Sequence, residues 1–230
     1  MGWKAFFRKT FEEEWENNRN WGDLAPYKVS IGDNEYYGVG YIGTISDWLL
    51  SPKIQHPQGV RTRIRIKYIF WVDANATGSA TIAIIFYKNS ETSRDPEGYD
   101  IHGVSNTLTA PSSTNFAQEK EFVIEYDGGN KIIISADGEK LGETTLELPL
   151  ASFVVCMRTD QALDGNVGII VYEVVAEYYD QWEDWINQIY GIMQWMIPVM
   201  FVIMLVVMVV SAFRSGKKEE EEGKVIVVPG

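Results

Sequence analysis

The chain has 230 residues, 46% of them hydrophobic and 13% aromatic, and a formal net charge of −12. That charge excludes nucleic acid as a partner, since binding a polyanion needs clustered Lys and Arg. The single cysteine, Cys156, excludes an intrachain disulfide, and its place in the apolar run Ser152-Phe-Val-Val-Cys-Met157 marks it as a small buried hydrophobe.

Residues 1–24 form the first unit. Trp3, Phe7, Phe11 and Trp15 recur every four residues, with Phe6 beside them, which predicts an amphipathic helix with one apolar stripe. Lys4, Arg8 and Lys9, then Glu12, Glu13, Glu14 and Glu16, make its polar side. Such a stripe suits a membrane interface, or equally a helix docked on its own domain or a neighbouring subunit, so the four aromatics are candidate interface residues. The segment lacks the continuous apolar stretch of a signal peptide. Phe6 also stands where a myristoylation signal needs Ser or Thr.

Residues 25–179 read as β. Segments rich in Ile, Val, Tyr, Phe and Thr predict strands at 27–31, 36–42, 60–72, 80–88, 120–126, 131–136, 144–148, 153–158 and 167–178. Turn signals punctuate them at Gly32-Asp-Asn34, Asp127-Gly-Gly-Asn130, Asp137-Gly138 and Asp164-Gly-Asn166. Many strands with short polar turns predict a mainly β, two-sheet antiparallel jelly-roll sandwich rather than a βαβ fold. The run Arg61-Thr-Arg63-Ile-Arg65-Ile-Lys67 alternates with period two, so its cations should line a wet strand face, with Ile64, Ile66 and Ile69 toward the core. Residues 89–114 are polar and read as a long loop, a natural place for a binding surface.

Residues 180–213 predict a juxtamembrane helix that continues into a single transmembrane span. Trp182, Trp185, Ile186, Ile189 and Met193 keep helical spacing, and no charged residue occurs between Asp184 and Arg214. Residues 196–213 alone cover roughly 27 Å at a helical rise of ~1.5 Å, close to the hydrocarbon thickness, and Tyr190 to Trp195 complete the span. Trp182, Trp185, Tyr190 and Trp195 make an aromatic belt on one side, and Met196, Phe201, Leu205 and Phe213 belong to the lipid-facing stretch. Arg214, Lys217 and Lys218 follow at once, so the positive-inside rule places the tail, residues 214–230, in the cytoplasm and the β domain outside. A tail-anchored arrangement with a cytosolic domain, or a virion membrane, is the alternative setting.

The stretch Glu121-Phe-Val-Ile-Glu-Tyr-Asp-Gly-Gly-Asn-Lys-Ile-Ile-Ile-Ser-Ala-Asp-Gly-Glu-Lys-Leu-Gly142 resembles the central hairpin of concanavalin A-like lectin and glucanase domains, including laminin-G-like modules. The segment Gly165-Asn-Val-Gly-Ile-Ile-Val-Tyr-Glu-Val-Val-Ala-Glu-Tyr-Tyr179 is similar to the closing strand with which such domains return beside their first, and Asp47-Trp-Leu-Leu-Ser-Pro-Lys-Ile54 to a segment leading into the next strand. The resemblance implies a jelly roll over residues 27–179 and no particular substrate. The family's enzymes carry a Glu-x-Asp-x-x-Glu strand that puts two carboxylates on one cleft face. Glu119, Glu121 and Glu125 do not reproduce it, so the chain is expected not to be an enzyme.

Two acidic clusters have oxygen ligands at calcium-like spacing: Asp95, Glu97 and Asp100, and Asp160, Asp164 and Asn166. No other cofactor is indicated. His56 and His102 lack any metal-ligand spacing. Trp48, Tyr87 and Tyr99 are the aromatics suited to stacking on sugar rings. Three roles fit these features: a structural or assembly component such as a virus coat, spike or surface-layer protein, with homo-oligomer or other-subunit partners; a cell-surface module binding glycan or protein; and an accessory single-span subunit of a membrane complex.

Overall fold

Strict alternation along Thr62–Val72 decides the architecture. Ile64, Ile66, Tyr68, Phe70 and Val72 point to one side and are buried, while Arg63, Arg65 and Lys67 point to the other. A strand with one dry and one wet face must bury the dry one on a second layer. The computed structural model shows that layer. It describes residues 2–11, 20–74, 76–88, 102–109, 116–146, 150–160 and 165–222, with 102, 105, 181–184 and 215–222 described through the backbone alone.

In chain order the elements are β1 (Trp3–Thr10), β2 (Ala25–Ile31), β3 (Asn34–Ile42), β4 (Ile45–Leu50), β5 (Ile54–Gln55), β6 (Thr62–Val72), β7 (Ser79–Tyr87), β8 (His102–Thr109), β9 (Phe116–Tyr126), β10 (Lys131–Ala136), β11 (Glu139–Thr145), β12 (Ser152–Thr159), β13 (Val167–Tyr179) and the helix α1 (Gln181–Glu222). An eight-stranded sheet runs β11-β10-β9-β6-β13-β3-β2, with β1 also on β13; a five-stranded sheet runs β4-β12-β7-β8, with β5 also on β12. This is the two-sheet antiparallel sandwich that the concanavalin A-like resemblance implies.

The 13-residue β13 is the spine of the large sheet. One edge pairs with β6 from Val167 to Tyr178, with a bulge at Tyr172. Along the other edge β3 takes Gly168–Val171 and β1 takes Glu173–Tyr179, in tandem. The closing strand therefore does return beside the first. A Cβ on Gly40 would strike the carbonyl of Ile169, so glycine is what lets β3 approach β13 this closely. The core lies between the sheets and joins Ile64, Ile66, Phe122 and Val174 of the large one to Ile82, Ile84, Phe153 and Val155 of the small one.

Several expectations are corrected. The N-terminal helix is not seen: residues 3–10 are β1, hydrogen-bonded to β13. A spacing of four residues fits a helical stripe and is also even, so it equally places side chains on one face of a strand. Phe7 and Phe11 point into the sandwich around Trp21, and a bulge at Phe6 turns Trp3 to the outer face. Trp15 lies outside the described residues. The predicted loop at 89–114 contains β8, which extends the small sheet beside β7. Strands β4 and β5 occupy residues left unassigned by pattern, and β11 lies at 139–145 rather than 144–148. Ile69 is fully buried, yet on the outer face of the large sheet, where it pairs with Ile170.

The chain divides into two compact units, Trp3–Tyr179 and residues 180–230 with 1–2. In the second, α1 is continuous for 42 residues with Pro198 inside it. Its stretch Trp185–Arg214, 30 residues, is long and apolar enough to cross a membrane. Tyr190, Trp195, Met196, Phe201, Leu205 and Phe213 are all exposed.

Candidate functional site

In an antiparallel sandwich the outward side of each sheet is ordinarily polar. Here both outer faces carry apolar clusters of their own.

On the large sheet, Val29 of β2, Ile69 of β6 and Ile170 of β13 are buried beneath Tyr27, Ile31, Tyr36, Ile42, Trp71, Ala117 and Tyr172, which are half-buried. Register places them together: Ile170 pairs with Ile69, and Ala117 with Trp71. Glu119 of β9 fixes the tyrosines. Its carboxylate accepts the Tyr172 hydroxyl at 3.0 Å and the Tyr36 hydroxyl on its other oxygen, and the two rings lie 5.4 Å apart. Burial first, and then the bond to Glu119, hold the Tyr172 phenol well above its usual range.

Farther along the same face the cations predicted to be wet form an ionic lattice. Arg63 and Arg65 meet Glu177 at 2.9 and 3.5 Å, and Lys67 and Arg8 meet Glu173 at 2.8 and 3.0 Å. Burial works against ionisation of Glu173, but Lys67 and Arg8 outweigh it and keep the carboxyl below its usual range.

The outer face of the small sheet joins Leu50, Ala83, Ile85, Tyr87, Val154 and Cys156, with Trp48 packed against them. Two cations cap its aromatics: the Arg158 guanidinium lies 4.9 Å from the Trp48 ring centre and the Lys53 ammonium 4.0 Å from that of Tyr87. Trp48 and Tyr87, singled out in the sequence as sugar-stacking candidates, thus share one face on either side of β12. Tyr87 is buried and Trp48 half-buried. Cys156 is buried beneath them, its thiol donating to the Ala83 carbonyl.

Of the two calcium-type clusters, only Asp160 and Asn166 fall within the described residues. Asp160 accepts the Ser79 hydroxyl at 2.9 Å, and the Asn166 amide donates to Asp73 at 2.8 Å. Asp95, Glu97, Asp100 and Asp164 lie outside the described residues, as does Tyr99. Among the described residues no group of three or more His, Cys, Asp or Glu is placed to hold a metal ion. His56 is buried, its Nε2 2.8 Å from the Thr62 hydroxyl, among the rings of Phe6, Tyr126 and Phe153. Sequence reasoning missed the Glu119 cluster because its members come from β3, β9 and β13, which no local spacing connects.

No family model matches the chain. No curated protein matches it in sequence. Among solved structures it is similar to an endo-β-1,4-glucuronan lyase from the fungus Trichoderma reesei, at 12% identity over 76% of this chain and 96% of that one, with a TM-score of 0.40. It is also similar to the T. cruzi calreticulin globular domain, at 8% identity over 83% and 95%, with a TM-score of 0.43. A third is the Emp47p carbohydrate recognition domain, at 7% identity over 77% and 97%, with a TM-score of 0.42.

Proposed function

We propose that the chain is a non-enzymatic, membrane-anchored sandwich that works as a structural, self-assembling component. The observation that carries this reading is the aromatic patch on the outer face of the large sheet, where Tyr27, Ile31, Tyr36, Ile42, Trp71 and Tyr172 stand half-buried around Val29, Ile69 and Ile170. A contiguous apolar patch of this kind marks a protein–protein surface more often than bare solvent contact. In this reading α1 spans the bilayer, and Arg214, Lys217 and Lys218 hold the tail in the cytoplasm with the sandwich outside.

Size measurement by light scattering after extraction in mild detergent tests the assembly. The wild-type chain runs as an oligomer, and replacing Ile31 and Ile42 together by Glu shifts it to the monomer. An unchanged mass for that variant, or a monomeric wild type, overturns the reading. Protease added to intact membranes tests the orientation: the sandwich is digested and the tail spared, and the reverse outcome inverts the topology.

One observation favours a second reading, a surface module that binds glycan. It is the pairing of Trp48 with Arg158 and of Tyr87 with Lys53 on one face of the small sheet. Trp48→Ala abolishes capture on a glycan array if this reading holds, and no capture by the wild type removes it.

A further inference from the structure

We propose that two copies of this chain pair through β2, antiparallel about a two-fold axis at Val29, so that their large sheets join edge to edge. The inference rests on the self-assembly proposed above and names a contact that the outer face does not supply. β2 is a terminal strand: it pairs with β3, and among the described residues no strand lies on its other side. Edge strands are ordinarily blunted by charge. Strand β1 carries Lys4, Arg8 and Lys9, and β11 carries Glu139, Lys140 and Glu143. The run Ala25-Pro-Tyr-Lys-Val-Ser-Ile31 of β2 carries Lys28 alone.

Polarity and backbone geometry both point to a second sheet at this edge. Val29 is buried and Tyr27 and Ile31 are half-buried in the outer patch beside Tyr36, whereas Lys28, Ser30 and Glu35, on the side that elsewhere carries the core, are exposed. The β2–β3 hairpin therefore reaches past the small sheet. Its turn, Gly32-Asp33, closes on Ile31 opposite Asn34, so β2 and β3 exchange bonds at Ile31, Val29, Tyr27 and Ala25. The amides and carbonyls of Lys28 and Ser30 then face away from β3. Pro26 shares that outward position, where its missing N–H is no loss to the ladder.

The side chains identify the occupant as a second copy, because β2 complements itself in one register. An axis at Lys28 sets two ammonium groups directly opposite, which opposes pairing. An axis at Tyr27 sets Lys28 against Pro26, which has no N–H to give. An axis at Ser30 runs Lys28 against Gly32, which stands at φ +60° in the turn, outside the strand. The axis at Val29 sets Val29 against Val29, Tyr27 against Ile31, and Lys28 against Ser30 of the second copy. Lys28 and Ser30 then exchange both ladder bonds across the axis. Each Lys28 also reaches over the small Ser30 toward Glu35, the neighbour of Ser30 on β3. The outer apolar rows become continuous, Tyr36 and Val29 of one copy meeting Val29 and Tyr36 of the other.

The test is disulfide cross-linking of the full chain in mild detergent, with one introduced cysteine per chain. Cys156 is buried, and the unsubstituted chain serves as the blank. A non-hydrogen-bonded antiparallel pair holds its Cα atoms about 4.5 Å apart, within disulfide range. Under mild oxidation Val29→Cys gives a linked dimer on a non-reducing gel, several-fold more than Asn34→Cys on the exposed turn. Co-expressed Tyr27→Cys and Ile31→Cys chains link to each other far more than either links to itself, which separates this register from its neighbours. Ser30→Pro removes an outward N–H that β3 does not use, and added to Val29→Cys it abolishes the dimer band. Equal yields at positions 29 and 34, self-linking of Tyr27→Cys as strong as the mixed pair, or a band that survives Ser30→Pro overturns the proposal. Light scattering of the unsubstituted chain reports the underlying reading separately. An oligomer without the Val29→Cys link leaves self-assembly standing and removes the β2 contact alone; a monomer removes both.

Discussion

Burying an imidazole between aromatic rings ties folding to pH at His56. Desolvation pulls its pKa down from 6.5 to about 4, against the carbonyls of Pro57 and Leu150, which favour the proton but do not prevail. The ring's Nδ1 is buried without a hydrogen-bond partner, so the neutral form is the one the site accepts. Because the folded pKa lies below the unfolded one, only the unfolded chain gains the proton as pH falls through 6.5. Stability is then complete above about pH 6.5, declines toward pH 4 and stays low below it. Between pH 7 and pH 5 the expected loss is about 2 kcal/mol. Urea unfolding at the two pH values should show this loss for the wild type and a much flatter profile for His56→Gln. An equal loss in the variant would assign the slope to other groups. Gly40 is the second position where one side chain decides: Gly40→Ala forces a Cβ into the Ile169 carbonyl and should cost at least about 2 kcal/mol, read as a lowered urea midpoint.

At the scale of elements, β1 carries a consequence that a surface helix would not. Phe11, the residue that follows β1, is only 1% exposed and packs edge to face on Trp21, and Phe7 of β1 stacks on the same indole. Phe11→Ser therefore removes core volume and should cost about 3–5 kcal/mol, loosening β1 from β13 and lowering the thermal midpoint of the sandwich. A variant that kept the wild-type midpoint would return β1 to the role of a peripheral strap. This element also shows where the sequence stops being legible. Strands such as β6 and β10 were readable because alternation and Asp-Gly turns are local. In the β9–β10 turn, for example, Asp127 accepts the Gly129 and Lys131 amides at 2.8 and 3.0 Å. The identity of β1 was not local, since only pairing with β13, some 165 residues away, separates a strand from a helix at a four-residue spacing. Likewise β8 carries the polar run Ser105-Asn-Thr107, and it is a strand because β7 offers it an edge. Of the candidate faces, Trp48 and Tyr87 could be singled out as aromatics, but their shared face depends on β12 lying between β4 and β7.

At the scale of the whole molecule, the two units place their apolar surface differently. Within Trp3–Tyr179 the dry surface turns inward, with Tyr68, Tyr126, Phe122 and Phe153 all under 2% exposed. In α1 it turns outward, with Trp195 81% and Phe213 75% exposed, which in water would be an unsupportable apolar cylinder. A sandwich whose core is complete without the helix should fold without it. Residues 1–180 expressed alone should give a detergent-free, β-rich domain by circular dichroism that unfolds in one cooperative urea transition, because among the described residues every member of the sandwich core lies before Tyr179. The same truncation should lose all association with liposomes after carbonate washing, while the full chain floats with them. Mainly helical dichroism, or a fragment that stays insoluble even with Ile31 and Ile42 both changed to Glu on the outer patch, would mean that the helix belongs to the fold. The patch variant matters because wild-type residues 1–180 still present the half-buried Tyr27, Tyr36 and Trp71, so self-association alone does not count against an independent sandwich.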